Sequence, residues 1–301
     1  YYNASYPSSM ERTFQVTAKP VIETIKTYLE NGTETFVFYT WEKVVIRTNV
    51  TDEEGASDIS SVKVKVVNPD GTDVLGGWAE MTKIADIPNG GTYEKNVSGA
   101  LIGTRGTWHI YINATDSHGY ITSNSSTFKV IAKPELQNLN VEPSSAGWGE
   151  TFVFSFELQD LDNDTVEVTL KEKFSNGEWQ VIAKHNFTDT ESFTVRKFYI
   201  NSTHCIAESP SGNESADFCV GHNYSMIGLR EWQLVADDLS GRGVTEVNAS
   251  VTFTIEKDDI AIEYVAGNQS IIDRNEGSAV LKVRVKAVSY THLTLPTTER
   301  V

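Results

Sequence analysis

The sequence lacks the patterns that mark the common classes of enzyme and of membrane-spanning protein. It contains no Gly-x-Ser-x-Gly elbow, no His-Glu-x-x-His pair, no Walker loop and no dinucleotide-binding glycine motif, so the corresponding enzyme classes lose their sequence support. No apolar run approaches the roughly 20 residues that a membrane helix needs. The chain also starts without an initiator methionine or a signal peptide. We therefore expect a non-enzymatic piece of a longer polypeptide, with any membrane anchor outside it.

Positive charge is scarce. The chain has 25 Lys and Arg against 41 Asp and Glu, a formal net charge of -16. Such a surface repels phosphate backbones, so we expect no nucleic-acid partner. An acidic surface is compatible with divalent cations.

Amphipathic helix patterns are missing as well, and strict alternation takes their place. In the segment around Trp108, Ile110 and Ile112 fall on the same face as the Trp, while His109 and Tyr111 fall on the other. Period two is typical of a strand with one buried face. The same pattern occurs in residues 61–67, 165–174, 191–200 and 247–255. Turn signals separate these segments, so the sequence predicts an all-β fold built from sandwiches.

One segment of the sequence recurs at the spacing of a small domain. "TFQVTAKP" occupies residues 13–20, "TFKVIAKP" occupies residues 127–134, and a degraded copy, "TFTIEKDD", begins at Thr252. "ETFVF" also occurs twice, from Glu34 and from Glu150. Each unit carries a Trp followed by an Ala-x-Asp-x-x-Gly turn: Trp108 with Ala114, Asp116 and Gly119, and Trp232 with Ala236, Asp238 and Gly241. The order of these matches predicts tandem domains.

The repeat predicts five parts in the chain. Residues 1–19 are the tail of a preceding sandwich, 20–133 and 134–257 are two complete domains, the second with an insertion at 199–226, and 258–286 opens a truncated third. Proline stops a strand and stiffens the joint, which places the hinges near Pro20 and Pro134. Residues 287–301 break the alternation and resemble translated sequencing-adaptor readthrough, the alternative being a genuine disordered terminus.

The closing pattern of each unit resembles the tandem immunoglobulin-like domains, including PKD-like ones, of prokaryotic cell-surface proteins. The resemblance rests on the aromatic strand, the Ala-x-Asp-x-x-Gly turn and the final "TF-x-V" strand, and it covers both complete units. It implies tandem immunoglobulin-like β-sandwiches that act as spacers, adhesins or cell-wall and surface-layer components. The insertion in the second unit departs from the pattern.

Thirteen of the 19 asparagines begin an Asn-x-Ser/Thr triplet, the acceptor for N-glycosylation. These are Asn3, Asn31, Asn49, Asn96, Asn113, Asn124, Asn163, Asn186, Asn201, Asn213, Asn223, Asn248 and Asn268. Strand parity predicts that Asn49, Asn96, Asn113, Asn186 and Asn248 point to solvent, where a glycan could project. The triplets predict a glycoprotein from an archaeon or a eukaryote. The alternative is a surface that is merely rich in Ser, Thr and Asn.

The two cysteines, Cys205 and Cys219, both lie in the insertion. We expect them to form a disulfide, since the surface context favours oxidation. His204 and His222 flank the pair, so a Cys/His zinc site is the rival. The insertion would then be either a loop tied down by the bridge or a presented binding surface.

Asp160, Asp162 and Asp164 alternate in a turn, as ligands do in calcium loops. The turn is not an EF-hand, because Thr165 and Lys171 stand at the sixth and twelfth positions. Calcium is therefore the one cofactor candidate, and a solvated acidic turn is the alternative. A comparable turn in the first unit holds Asp52, Glu53, Glu54 and Asp58, and Asp258 and Asp259 at the second junction could contribute.

Taken together, the sequence predicts a non-enzymatic, extracellular cell-surface protein, either a structural stalk or envelope or an adhesive repeat. Its partners would be the neighbouring domains of the same chain and a cell-surface protein or glycan. The alternative is an array of carbohydrate- or protein-binding modules attached to a secreted enzyme, which exposed aromatic residues such as Trp41 or Trp78 would favour.

Overall fold

A computed structural model describes residues 17–98, 103–174, 177–249, 252–257, 259–266 and 282–288. The chain divides into two compact units, Tyr1–Ile131 and Ala132–Val301. Most of the segment interpreted as the tail of a preceding sandwich, residues 1–19, lies outside the described residues. Residues 258 and 267–281 of the predicted third domain also lie outside the described residues, and so do residues 289–301.

Unit one is built from nine described strands. They are β1 (Val21–Tyr28), β2 (Val37–Tyr39), β3 (Val44–Thr51), β4 (Ile59–Val67), β5 (Ala79–Glu80), β6 (Thr82–Ile87), β7 (Gly90–Val97), β8 (Gly106–Asp116) and β9 (Ile121–Ile131). One sheet has the order β1-β3-β7-β6 and the other the order β2-β9-β8-β4-β5. Consecutive strands β1 and β2 therefore lie in different sheets. This crossing, with β2 parallel to β9, gives the strand arrangement of an immunoglobulin-like sandwich.

The core of unit one comes from alternate residues of these strands. Trp108, Ile110 and Ile112 of β8 are fully buried, as their parity predicts. The Trp108 ring stacks on Phe128 with centroids 5.7 Å apart, and its Nε1 donates to the Thr104 carbonyl at 2.8 Å. The Trp therefore fills the core without leaving its polar atom unpaired.

Unit two has twelve described strands in its sandwich. They are β10 (Glu135–Glu142), β11 (Ser145–Gly147), β12 (Phe152–Gln159), β13 (Val166–Phe174), β14 (Gln180–Phe187), β15 (Thr194–Ile200), β16 (Cys205–Ser209), β17 (Gly212–Ser215), β18 (Phe218–Cys219), β19 (Gly228–Asp237), β20 (Thr245–Asn248) and β21 (Phe253–Glu256). One sheet has the order β10-β12-β15-β16-β17; the other has the order β11-β21-β19-β13-β14-β18, with β20 beside β19. The pairing of β11 parallel to β21 repeats the pairing of β2 with β9.

Aromatic side chains fill the core of unit two. Phe152, Phe154 and Phe156 alternate along β12 and are buried. Trp232, also buried, meets Phe154 edge to face at a centroid distance of 5.1 Å. The prediction of an all-β fold of tandem immunoglobulin-like sandwiches is confirmed, because both units show two packed sheets of this topology.

The insertion of unit two is part of the sandwich. Strands β16 and β17 extend the sheet of β15, while β18 pairs with β14 at the edge of the opposite sheet. A short 3-10 helix, Tyr224–Met226, leads back to β19. The expectation of a long loop is therefore wrong, because the backbone groups of the inserted residues join the ladders of both sheets. That the insertion presents a binding surface stays a prediction.

A separate two-stranded sheet follows the sandwich of unit two. Strand β22 (Asp259–Ala266) pairs antiparallel with β23 (Lys282–Val288). Strand β23 thus runs two residues into the segment 287–301. Among the described residues, none belongs to a helix that is long and apolar enough to cross a membrane.

Replacing a core Trp tests the packing of unit one. We expect Trp108→Ala to lower the free energy of unfolding of that unit by about 3–5 kcal/mol, because the residue is fully buried and the cavity is large. Scanning calorimetry of the full chain measures the effect. Trp78→Ala, at a residue that is 43% exposed, is the matched control and should shift the transition little. Equal shifts for the two variants would contradict the proposed core.

Candidate functional site

The candidate site of unit one lies where strands of both sheets end. Asp52 directly follows β3, Asp58 directly precedes β4, and Asp116 is the last residue of β8. Asp52 and Asp116 are each only 2% exposed. Strands of opposite sheets therefore deliver buried carboxylates to one end of the sandwich.

Both buried carboxylates close backbone turns with one oxygen. Asp52 Oδ1 accepts from the Glu54 N–H at 3.0 Å. Asp116 Oδ1 accepts from the N–H groups of His118 and Tyr120 at 2.9 and 2.8 Å. Asx turns of this kind fix the chain direction after a strand. The Ala-x-Asp-x-x-Gly motif of the sequence is thus a turn built around the Asp side chain.

Four carboxylates form what we call the acidic cluster of unit one: Asp52, Glu54, Asp58 and Asp116. Ligand atoms of Asp52, Glu54 and Asp58 lie within 4.8 Å of one another, and so do those of Asp58, Asp116 and His118. These are the two sets in the described part of the chain in which three potential metal-ligating side chains converge. Asp58 belongs to both sets.

Burial sets the electrostatics of this cluster. It raises the pKa of Asp52, and the neighbouring Glu54 and Asp58 charges add to the effect. The pKa of Glu54 is lowered, first by its hydrogen bond with Asp52 and then by the Ala18 N–H, which lies 2.8 Å from Glu54 Oε1. Burial and the shared hydrogen bond therefore shift the pKa values of these two neighbouring carboxyl groups in opposite directions.

Unit two repeats the arrangement with the residues predicted for calcium. Asp160 follows β12 and is 1% exposed, and its Oδ1 accepts from the Asp162 N–H at 2.9 Å. Asp162 Oδ2 accepts from the Ala132 N–H. Asp238 follows β19, and its Oδ1 accepts from the Ser240 N–H at 3.0 Å.

Asp160, Asp162 and Asp164 do not converge on one point as the alternation suggested, since no set of three ligand atoms within 4.8 Å is found among the described residues of unit two. Burial raises the pKa of Asp160 to about 6, with smaller contributions from Asp162, Asp238 and Asp164. Calcium binding at these residues stays a prediction. Three potential ligand atoms come together in unit one instead, where Asp58 supplies a carboxylate that belongs to both sets.

The alanine of the repeated "AKP" segment is held in the same way in both units. The Ala18 N–H donates to Glu54 and the Ala132 N–H to Asp162. Each acceptor stands two residues after the buried Asp, at positions 52 and 160. The segment interpreted as a linker therefore begins with a residue that is anchored to the following unit.

The structure joins Cys205 to Cys219, with Cα atoms 5.5 Å apart. Cys205 lies in β16 and Cys219 in β18, so the bridge links one sheet of the sandwich to the edge strand of the other. His222 Nε2 lies 2.9 Å from Glu172 Oε1, while His204 is exposed. Because the sulfurs are bonded to each other, the rival zinc site is wrong.

A buried charged group lies beneath the insertion. Glu172, His222 and Arg230 are all at most 1% exposed, and Arg230 Nε lies 3.5 Å from Glu172 Oε2. The Arg230 guanidinium also sits over the Phe174 ring at 4.2 Å. Sequence reasoning missed this group, because nothing in the spacing of the three residues marks them as neighbours. We assign it the structural role of attaching the end of the insertion, at His222, to Glu172 in the core.

All eleven sequon asparagines in the described residues are accessible to solvent. Seven are exposed, namely Asn31, Asn96, Asn124, Asn163, Asn186, Asn213 and Asn248, and four are half-buried, namely Asn49, Asn113, Asn201 and Asn223. Asn3 and Asn268 lie outside the described residues. None of the five strand positions expected to point outward is buried.

The amide nitrogens of two sequons are engaged. Asn124 Nδ2 donates to the Ile22 carbonyl at 3.4 Å, and Asn201 Nδ2 donates to Thr151 Oγ1 at 3.3 Å. This nitrogen is the atom that would carry a glycan. The structure therefore distinguishes these two sites from the other sequons.

Comparison with known proteins finds structural likeness without sequence kinship. No protein-family model and no curated protein matches the chain. Its structure is similar to murine CEACAM1b (9% identity, TM-score 0.36, 78% of this chain and 100% of that one) and to the amphioxus IgVJ-C2 molecule (13% identity, TM-score 0.28, 73% and 99%). It is also similar to a Salmonella alpha-2-macroglobulin mutant (15% identity, TM-score 0.24), where 86% of this chain spans 16% of that chain. At these TM-scores the likeness does not extend to activity or partners.

The disulfide should stabilise unit two selectively. Its residues are 14 positions apart, and a loop of this length predicts a loss of about 3 kcal/mol on reduction. Scanning calorimetry with and without reductant should show a lower transition temperature for unit two and an unchanged transition for unit one. The double variant Cys205→Ser/Cys219→Ser is the control and should be insensitive to reductant. A reductant-sensitive unit one would contradict the assignment.

Asp160 should make unit two less stable as the pH rises. Its folded-state pKa of about 6 is above that of the unfolded chain, so the folded state binds more protons between about pH 4 and 6. The free energy of unfolding then falls across that window, by an amount on the order of 3 kcal/mol.

Asp160→Asn should remove this fall and make unit two more stable than the unsubstituted protein at pH 7, with little difference at pH 4. Urea denaturation in the presence of a chelator, at both pH values, measures it. Glu191→Gln removes an exposed carboxylate and serves as the control. An unchanged pH dependence in Asp160→Asn would show that another group titrates.

Proposed function

We propose that the chain is part of a non-enzymatic, N-glycosylated extracellular protein whose immunoglobulin-like sandwiches form a structural stalk or envelope, or present an adhesive surface. The observation that carries the proposal is the accessibility of every described sequon asparagine. A glycan is bulky and polar, so it requires an acceptor outside the packed core. An archaeal or eukaryotic source follows from the same triplets and stays a prediction.

The disulfide supports an extracellular location. Disulfides persist in oxidising compartments and are rare in reducing ones. Here the bridge joins β16 of one sheet to β18 of the other, which makes it a structural element. A cell-surface protein gains from such an element because it must keep its fold without repair by the cell.

Exposed aromatic residues favour the second candidate function, a carbohydrate- or protein-binding module array. Trp41 is 63% exposed and stacks on Tyr39 at a centroid distance of 4.8 Å, and Phe36 is 72% exposed. Flat aromatic surfaces of this kind bind sugar rings and partner side chains. Quenching of tryptophan fluorescence by soluble polysaccharides, lost in Trp41→Ala, would favour this function over the first.

Glycopeptide mass spectrometry of the protein isolated from its native source tests the proposal. We expect glycans on the accessible sequons, with lower occupancy at Asn124 and Asn201, whose amide nitrogens already donate hydrogen bonds. Asn89 is exposed but begins no sequon, so it is the internal control and should be unmodified. The difference in intact mass before and after chemical deglycosylation gives the total mass of attached glycan. An unmodified native protein would overturn the glycoprotein proposal.

A further inference from the structure

The acidic cluster of unit one contains buried carboxylate oxygens to which no described N–H or hydroxyl group donates. These are Asp52 Oδ2 and Asp116 Oδ2. The hydrogen bond between Asp52 and Glu54 joins two carboxylates, so it forms only when they share a proton. Both side chains are 98% buried, since each residue is only 2% exposed. A buried carboxylate oxygen is destabilising unless it is paired with a donor, a proton or a cation.

A hydrogen-bonding partner for these oxygens would have to be cationic to balance the local charge. His118 is the recorded neighbour of this kind, with Nδ1 3.6 Å from Asp58 Oδ2. It is exposed. Four carboxylates therefore lie close together at one end of the sandwich, where their negative charges repel one another.

The spacing of the ligand atoms matches that around a bound calcium ion. Calcium–oxygen distances are about 2.3–2.6 Å, so two oxygens on opposite sides of one ion lie about 5 Å apart. Both sets that contain Asp58 keep their ligand atoms within 4.8 Å. The side chains come from two places, the connection between β3 and β4 and the end of β8, which gives an ion ligands from both sheets.

We propose that unit one binds a calcium ion at Asp58, with Asp52 and Glu54 on one side and Asp116 on the other. The donors are carboxylate oxygens, which suit calcium better than magnesium here, since magnesium demands a near-octahedral shell and keeps its waters. Zinc prefers nitrogen and sulfur ligands, and His118 offers a single exposed nitrogen. Water and backbone carbonyls would complete the shell of six to eight oxygens.

Calcium at this position would connect three parts of unit one. Asp52 holds the end of β3, Asp116 holds the end of β8, and Glu54 holds the Ala18 N–H where the chain enters the unit. An ion shared among them replaces repulsion between carboxylates by attraction to a common charge. The expected effect is a more stable strand end and slower local opening of these turns.

Unit two provides an internal comparison. Asp160 and Asp238 occupy the same places as Asp52 and Asp116, and their Oδ2 atoms are also buried without a hydrogen-bond partner among the described residues. The residue directly before β13 is Thr165, whereas Asp58 precedes β4. Without a counterpart of Asp58, we expect unit two to bind calcium more weakly than unit one.

Isothermal titration of calcium chloride into the chelator-treated full chain tests the site. We expect saturable binding that is weakened by at least about tenfold in Asp58→Asn, since replacing even an outer-shell partner of a metal ligand costs about that much. Glu53→Gln is the matched control, because Glu53 is an exposed carboxylate of the same turn outside both sets. Glu54→Gln is a second test at an exposed ligand, for the case that Asp58→Asn fails to fold.

Hydrogen–deuterium exchange localises the effect to unit one. Calcium should slow exchange in peptides that contain the N–H groups of Glu54, His118 and Tyr120, which bond to the cluster, and should not do so in Asp58→Asn.

Three outcomes would overturn the proposal. The first is calcium binding that is unchanged in Asp58→Asn and Glu54→Gln. The second is an absence of calcium binding together with stabilisation of unit one on acidification, which would mean that Asp52 and Glu54 share a proton instead. The third is tight zinc binding without calcium binding. The glycosylation experiment is independent of all three.

Discussion

The burial of one face of the central strands is the constraint on which both units depend. Alternate residues of β8 in unit one and of β12 in unit two fill the space between two sheets, and the side chains between them face outward. Close packing of Trp and Phe leaves little space for polar atoms inside the sandwich, and the buried Glu172, His222 and Arg230 pair with one another. Most other polar groups lie at strand ends, like the acidic cluster, or on the outward faces of strands, like the sequon residues Asn49 and Asn113.

The sequence was sufficient for the features that depend on local pattern. Alternation around Trp108 predicts both the strand and its buried face, and the repeated order of Trp, Asp and Gly predicts the second domain from the first. Cys205 and Cys219 could be paired because no other cysteine competes with them. Each of these inferences needs only neighbouring residues or a copy of the same segment.

Features that depend on side chains brought together from distant parts of the chain could not be predicted in the same way. Asp160, Asp162 and Asp164 alternate in one turn, yet ligand atoms come together around Asp58, where β3, β4 and β8 end side by side. The contact of Glu172 with His222 and Arg230 likewise joins residues 50 or more positions apart. The insertion reads as a polar loop, but free sheet edges accept its backbone, and this gain is invisible in its composition. In all three cases the structure depends on residues that are neighbours in the fold, and a single sequence does not show which residues those are.

The anchoring of Ala18 and Ala132 bears on how such domains can be cut and exchanged. Strand β9 ends at Ile131, and the next residue already donates its N–H to Asp162. A fragment that begins at Pro134 would leave the Asp162 carboxylate without this donor, although Pro134 is the natural place to cut when the proline is taken for a joint. A transplanted domain should therefore carry Ala-Lys-Pro at its front. Each copy of the repeated module is therefore best counted from its alanine, Ala18 or Ala132. That alanine stands three residues before the first strand of the unit, β1 or β10.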